Sequence, residues 1–228
     1  MGIHKKHYIH HDLHSGNIFS YNIYVSEIGD LGLCQQLKEK DDDTNEIFGV
    51  IPYLAPEVLS GKPYTKKSDI YSFGMIMWEY TTGKKPFHNR SHNHCLILDI
   101  LEGKRPEITQ DTPEFYVDLM KKCWDPDPEN RPTAKEIWRC FEKYDSPSYG
   151  SEEEKIIKLA ESKRQKNIKS EKYLIEEKNH KNHPESFYIS RPLSKLIQQA
   201  NSLKLSSNKS SQQDDISINN LSASQFFD

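Results

Sequence analysis

The sequence predicts an α+β chain that is mainly helical, with short β-hairpins near its N-terminus. Strand-like residues flank a turn at residues 20–22, and apolar residues recur with helical spacing from Thr65 onward. Composition then shifts near Tyr144 toward Ser, Lys, Asn, Gln and Glu. These observations predict a folded region over residues 1–144, followed by a polar tail over residues 145–228.

The first elements are expected to be extended. Asn17–Phe19 and Ile23–Ile28 carry strand-like residues around the turn Ser20-Tyr21-Asn22, so a hairpin is predicted there. The mostly polar stretch 31–50 indicates a long loop.

Helices are expected after Thr65. The first is apolar nearly all round, which is typical of a helix inside a core. Thr112 before Pro113 predicts an N-cap, and Thr133 with Glu136 predicts a capping box.

The tail offers two weaker helical stretches. Residues 152–165 could form an exposed helix supported by Glu154 and Lys158, and a second helix is possible around Leu193–Ala200. Because stretches such as 206–215 carry little apolar surface to bury, a solvated and partly disordered tail is favoured.

Composition excludes several classes of protein. The chain has 228 residues, a formal net charge of −3 and a pI near 6.4, which favours neither nucleic acid nor an anionic membrane as a partner. Its 4 cysteines include no C-x-x-C pair, so a zinc ribbon or a disulfide framework is not predicted. The start lacks an apolar signal segment, so a cytoplasmic, intracellular protein is expected.

Three short motifs occur one after another along the chain. Residues 10–17 read HHDLHSGN, residues 30–32 read DLG and residues 55–57 read APE. They resemble the catalytic loop H-R-D-L-x-x-x-N, the D-F-G motif and the A-P-E motif of eukaryotic-type protein kinases. The similarity covers residues 3–144 and is greatest to the tyrosine-kinase-like group, which mostly phosphorylates serine and threonine.

This resemblance implies the C-lobe of a protein kinase, and it assigns roles to three residues. Asp12 would be the catalytic residue that accepts the proton of the substrate hydroxyl. Asn17 and Asp30 would bind the Mg²⁺ that bridges the phosphates of ATP, which makes Mg²⁺ and ATP the implied cofactors. A protein substrate or a partner kinase is the implied partner.

The resemblance also implies structural contacts. Asp69 should hold the backbone of the catalytic loop near His10, against which Leu31 should pack, and Glu57 should pair with Arg131.

Three positions depart from the family pattern. His11 replaces the usual Arg, His14 replaces the Lys of serine/threonine kinases, and Val50 replaces a Thr that bonds to the catalytic Asp. Since imidazole is mostly neutral at cytosolic pH, phosphorylation at Thr44 is not expected to act as a strong switch through His11.

No glycine-rich phosphate loop or V-A-I-K lysine precedes Asp12. We therefore expect a C-lobe without its N-lobe that is inactive alone, and a catalytically silent kinase-like binding or scaffolding module is the alternative. A third hypothesis is a metal site, because His4, His7, His11 and His14 would share one face if residues 4–14 were helical.

Overall fold

The computed structural model describes residues 2–20, 26–36, 46–145, 147–170 and 181–206. Helices dominate, as predicted, and short strands cluster near the N-terminus. The helices are α1 (Gly2–Lys5), α2 (Pro56–Leu59), α3 (Lys66–Thr82), α4 (His94–Leu101), α5 (Glu114–Cys123), α6 (Ala134–Asp145), α7 (Glu152–Ile168) and α8 (194–206). The strands are β1 (Tyr8–Ile9), β2 (Ile18–Ser20), β3 (Ser26–Ile28), β4 (Gln35–Gln36), β5 (Phe48–Gly49) and β6 (Arg191–Pro192).

Helix α3 is the centre of the core, as its apolar sequence predicted. Thr65 caps its N-terminus by accepting from the backbone N–H of Ser68, whose hydroxyl in turn accepts from the Thr65 N–H at 2.8 Å. Gly83 ends the helix with φ of 67°, in the left-handed region that glycine tolerates. At Gly74 a Cβ would lie 2.8 Å from the Cβ of Cys123, so glycine allows α3 and α5 to approach closely.

The predicted hairpin is confirmed. Strands β2 and β3 pair antiparallel with Ile18 opposite Ile28. Tyr21 and Asn22 of the predicted turn lie outside the described residues. The stretch 31–50, expected to be a loop, instead contains β4, which pairs with β1, and β5, which pairs with β6.

Helix caps were predicted with mixed success. The capping box is confirmed, because Thr133 N–H donates to Glu136 Oε2 at 2.7 Å and Glu136 N–H donates back to Thr133 Oγ1 at 3.3 Å. The prediction of an N-cap at Thr112 is wrong, because Pro113 is the N-cap of α5. The Thr112 hydroxyl instead bonds to that of Thr109 at 2.8 Å.

The tail is partly helical, as expected, but its two helices lie in different environments. Helix α7 has no buried residue, and its Lys158 pairs with Glu154 at 2.8 Å. Helix α8 and the residue just before it are packed instead of solvated, because Leu193, Ile197 and Ala200 all belong to the main hydrophobic core.

Residues 183–193, here called the crossing segment, connect the tail to the core by backbone contacts. His183 N–H donates to the His88 carbonyl at 2.7 Å, and Leu193 N–H donates to the Ile47 carbonyl at 2.8 Å. Between these points β6 pairs with β5. The crossing segment is therefore fixed at both ends.

His92 forms a buried anchor for this segment. Its Nδ1 accepts from the Phe187 N–H at 3.1 Å, and its Nε2 lies 3.2 Å from the Phe87 carbonyl oxygen. Burial lowers the pKa of His92 below its ordinary 6.5, and the charges of Arg191 and Arg90 also lower it, against the raising effect of the backbone hydrogen bonds. The docked segment therefore favours the neutral ring.

Docking of the crossing segment should weaken in mild acid. A released His92 binds a proton just below pH 6.5, whereas the docked His92 binds it only at a lower pH, so docking is strongest above 6.5 and weakens below it. Hydrogen exchange of the amides at 185–193, corrected for intrinsic rates, should be faster at about pH 5.5 than at about pH 7.5. His92→Gln should reduce this difference, and an unchanged pH dependence in that variant would contradict the assignment.

Candidate active site

Asp69 holds the backbone of the catalytic loop, as predicted. Its carboxylate, in the first turn of α3, accepts from the N–H of His10 at 2.8 Å and from the N–H of His11 at 3.2 Å. His4 Nε2 lies 2.7 Å from the same carboxylate. Since Asp69 is only 2% exposed, these contacts are shielded from water and fix the loop on the central helix.

His11 takes a backbone conformation that is uncommon for its residue type. Its φ is 69°, in the left-handed region. Its ring stacks on that of Tyr64 with the centroids 4.5 Å apart. Thr44, whose phosphorylation is predicted not to act as a strong switch through His11, lies outside the described residues.

Asp12 is buried, and polar groups of His14 and Ser190 lie next to its carboxylate. His14 Nδ1 accepts from the Gly16 N–H at 3.1 Å, so a neutral ring carries its proton on Nε2, which lies 3.8 Å from Asp12 Oδ2. Burial raises the pKa of Asp12, but interactions with the His14 ring and the Ser190 hydroxyl, together with the charge of His10, outweigh it and leave the pKa lowered. Asp12 is therefore a carboxylate at neutral pH and can accept a proton.

The hairpin brings Asn17 and Asp30 to the same end of its strands. Asn17 Nδ2 donates to the Asp12 carbonyl at 2.9 Å, which ties the amide to the loop, and the Asn17 carbonyl accepts from the Gly29 N–H at 2.9 Å. Asp30 follows directly after Gly29 and is exposed, with φ of 50° and its carboxylate accepting from the Gly32 N–H at 3.3 Å.

These two side chains fit a Mg²⁺ site. Asn17 has an amide oxygen and Asp30 a carboxylate, which are the hard donors that Mg²⁺ prefers. Mg²⁺ commonly takes only one or two protein ligands and fills its other positions with water and substrate phosphates.

The histidine-cluster hypothesis is not supported. Helix α1 ends at Lys5, so the helix over 4–14 that would align the four histidines does not form. Across the described ranges, no group of three or more His, Cys, Asp or Glu side chains is arranged to hold a metal ion.

Lys85 is a residue of the site that the sequence did not indicate. Its Nζ donates to Ser15 Oγ at 2.6 Å and lies 2.6 Å from Glu79 Oε1. This places a cation on the catalytic loop, one residue from His14. The motifs gave no indication of it, because Lys85 follows α3 and meets the loop only in the folded chain.

Val50 and Leu31 differ in how far they are buried. Val50 is buried and precedes the short 3₁₀ helix Ile51–Tyr53. Leu31, which is predicted to pack against the buried His10, is 51% exposed, so about half of its surface faces solvent.

The predicted pair of Glu57 and Arg131 is confirmed and is bidentate. Arg131 Nη1 and Nη2 each donate to one Glu57 carboxylate oxygen at 2.7 Å. The Arg131 guanidinium also lies 5.3 Å from the ring centroid of the buried Tyr71 on α3. Both charges are buried and both are satisfied, so the pair joins the A-P-E motif to the loop before α6.

Comparison with known proteins agrees with the geometry. The family model described as protein tyrosine and serine/threonine kinase matches residues 2–141. The chain therefore belongs to the protein kinase family.

Individual relatives are kinases by name. A putative serine/threonine-protein kinase/receptor of Acanthamoeba polyphaga mimivirus is 40% identical over 129 residues, which cover 57% of this chain and 8% of the viral protein. Receptor-interacting serine/threonine-protein kinase 1 of Homo sapiens is 36% identical over 158 residues, covering 61% of this chain and 23% of the human protein. A serine/threonine/tyrosine-protein kinase of Arabidopsis thaliana is 31% identical over 144 residues, covering 63% of this chain and 36% of the plant protein. The chain thus spans well under half the length of these relatives.

Within the described residues, none of the helices is both long enough and apolar enough to cross a membrane.

Replacing Arg131 should destabilise the fold strongly. Arg131→Met leaves the Glu57 carboxylate buried without its partner, so the free energy of unfolding should fall by about 3–5 kcal/mol. Urea unfolding followed by circular dichroism measures this change. Lys158→Met removes one partner of an exposed ion pair and should change little. Equal effects of the two substitutions would contradict the buried-pair interpretation.

Proposed function

We propose that residues 1–144 form the C-lobe of a protein kinase that transfers phosphate from ATP to serine or threonine of a protein. Residues 145–228 would then be an appended tail. The observation that carries this proposal is the position of Asp12, on a loop whose backbone is fixed by Asp69, with the Asn17 amide bonded to the Asp12 carbonyl.

Each residue has a role in this chemistry. Asp12 accepts or orients the proton of the incoming substrate hydroxyl, which directs an oxygen lone pair toward the phosphorus. Asn17 and Asp30 would hold Mg²⁺, which would neutralise charge on the phosphates of ATP. Asp69 is a positioning residue, because it acts through the backbone that carries Asp12.

Serine and threonine are favoured as acceptors over tyrosine. The viral and human relatives carry serine/threonine in their names, whereas the plant relative also carries tyrosine. A protein substrate follows from the family, and a cytoplasmic location is proposed with it.

A catalytically silent binding or scaffolding module is the second candidate. It is favoured by His14, which stands at the position of the family's catalytic-loop lysine and carries a full positive charge only when protonated. Lys85 counters this observation in part, since its Nζ reaches the neighbouring Ser15.

Replacing Asp12 tests the proposed function. Asp12→Asn removes the proton acceptor, so phosphate transfer from ATP to protein should fall by about 10²–10⁴-fold. The measurement is ³²P incorporation by the protein isolated from its own cells, with either the natural sequence or the substitution. Asp118→Asn, at an exposed carboxylate of α5, is the matched control and should leave transfer unchanged.

The outcome also separates the two candidates. Transfer that depends on Asp12 supports the kinase. Transfer equally low in the natural protein and in Asp12→Asn, together with no Mg²⁺-dependent binding of ATP, would support the silent module.

A further inference from the structure

The crossing segment passes over the candidate active site. The Ser190 hydroxyl lies close enough to Asp12 to help lower the pKa of that carboxyl. Two residues earlier, the Tyr188 hydroxyl donates to the Pro86 carbonyl at 3.0 Å, and the Tyr188 ring centroid lies 6.0 Å from Lys85 Nζ. The segment is therefore held, just before Ser190, by the loop that carries Lys85.

After Ser190 the segment joins a sheet. Gly49 pairs with Arg191 and Phe48 with Pro192 in antiparallel register, and Leu193 N–H donates to the Ile47 carbonyl at 2.8 Å. Backbone pairing with an open strand edge is a general way in which proteins bind extended peptides.

Ser190 itself has an unusual environment. Its Oγ is buried and, among the described residues, has no hydrogen-bond partner of normal geometry. The hydroxyl is nevertheless close enough to Asp12 to help lower the pKa of that carboxyl. The Ser190 hydroxyl is thus held beside a carboxylate, without a full hydrogen bond to any other described group.

We propose that residues 187–193 occupy the path of a protein substrate, with the Ser190 hydroxyl at the acceptor position beside Asp12. This inference rests on the proposed function, because it takes Asp12 as the proton acceptor. It also defines a substrate class: an extended peptide with an aromatic residue two positions before the acceptor serine and Arg-Pro directly after it. The tail is then an intramolecular substrate that competes with other proteins for the site.

Transfer to Ser190 would follow the chemistry of the site. A bond forms between Ser190 Oγ and the γ-phosphorus of ATP while the bond from that phosphorus to the β,γ-bridging oxygen breaks. The hydroxyl proton passes to Asp12, and ADP leaves.

Anchoring makes the tail a strong competitor. Leu193, Ile197 and Ala200 are at most 3% exposed, so α8 holds the end of the segment in the core. A tethered ligand of this kind has an effective concentration on the order of millimolar. A free peptide should therefore bind well only when the tail is released.

Peptide binding to the full chain tests the proposal. The probe is a fluorescent peptide of residues 186–194, SFYISRPLS, followed by anisotropy. Leu193→Asp places a charge in the core and should release the tail, so this variant should bind the peptide at least about tenfold more tightly than the natural chain. A second variant, Tyr188→Ala with Ser194→Ala, removes two partly buried hydrogen bonds of the segment without adding a charge to the core and should act in the same direction.

Two controls sharpen the measurement. Gln198→Asp changes an exposed residue of α8 and should bind the peptide as weakly as the natural chain. The same peptide carrying S190W should bind the released variants at least about tenfold more weakly, since indole does not fit beside the buried Asp12. Equal binding by natural and released chains, with release confirmed by hydrogen exchange at 187–193, would overturn the proposal, as would equal binding of the two peptides.

A separate readout isolates the proposed function. Mass spectrometry of the protein from its own cells, with and without Asp12→Asn, reports phosphate on Ser190. Phosphate that disappears in Asp12→Asn supports both conclusions. Absence of phosphate in a chain whose tail still competes with the peptide would count against phosphate transfer and leave the docking of the segment supported.

Discussion

The carboxylate of Asp69 is the interaction on which the candidate site depends. It accepts from the backbone of His10 and His11 and contacts the ring of His4, so one buried charge fixes three points of the N-terminal region. Hydrogen bonds to a charged acceptor are stronger than neutral ones, and this acceptor lies on α3, a helix with many residues in the core. The left-handed backbone of His11 is unfavourable by itself and persists because its N–H is held in this way. The position of Asp12, the next residue, follows from that constraint.

A buried ion pair anchors the A-P-E segment to the same helix. Arg131 holds Glu57 in bidentate fashion and faces Tyr71 on the same helix that carries Asp69. The A-P-E segment is thereby fixed relative to α3, and β5 lies just before it in the chain. The catalytic loop and the A-P-E segment are therefore both anchored to α3.

Local patterns and ordered motifs predicted much of this arrangement. Periodicity identified α3, strand-like residues identified the hairpin of β2 and β3, and a capping box marked the start of α6. Motif order identified the pairs at Asp69 and Glu57, because those residues occupy fixed places in a family pattern. The contact of Lys85 with Ser15 could not be predicted, since it joins segments 70 residues apart that no motif links. The Thr112 cap failed for a local reason: the Thr112 hydroxyl bonds to Thr109, and the helix begins one residue later.

The polar composition of the tail did not predict that part of it packs into the core. Low hydrophobicity means that a segment cannot build a core of its own, but it does not prevent the segment from adding to an existing one. Leu193, Ile197 and Ala200 follow helical spacing, so a few apolar side chains form one stripe that enters a core already ordered by α3. The pairing of β6 with β5 and the buried His92 satisfy backbone groups that the segment could not satisfy alone. These anchors lie before and after Ser190 in the chain, so long-range packing sets the place of its hydroxyl beside Asp12. The sequence of the tail alone does not predict that position.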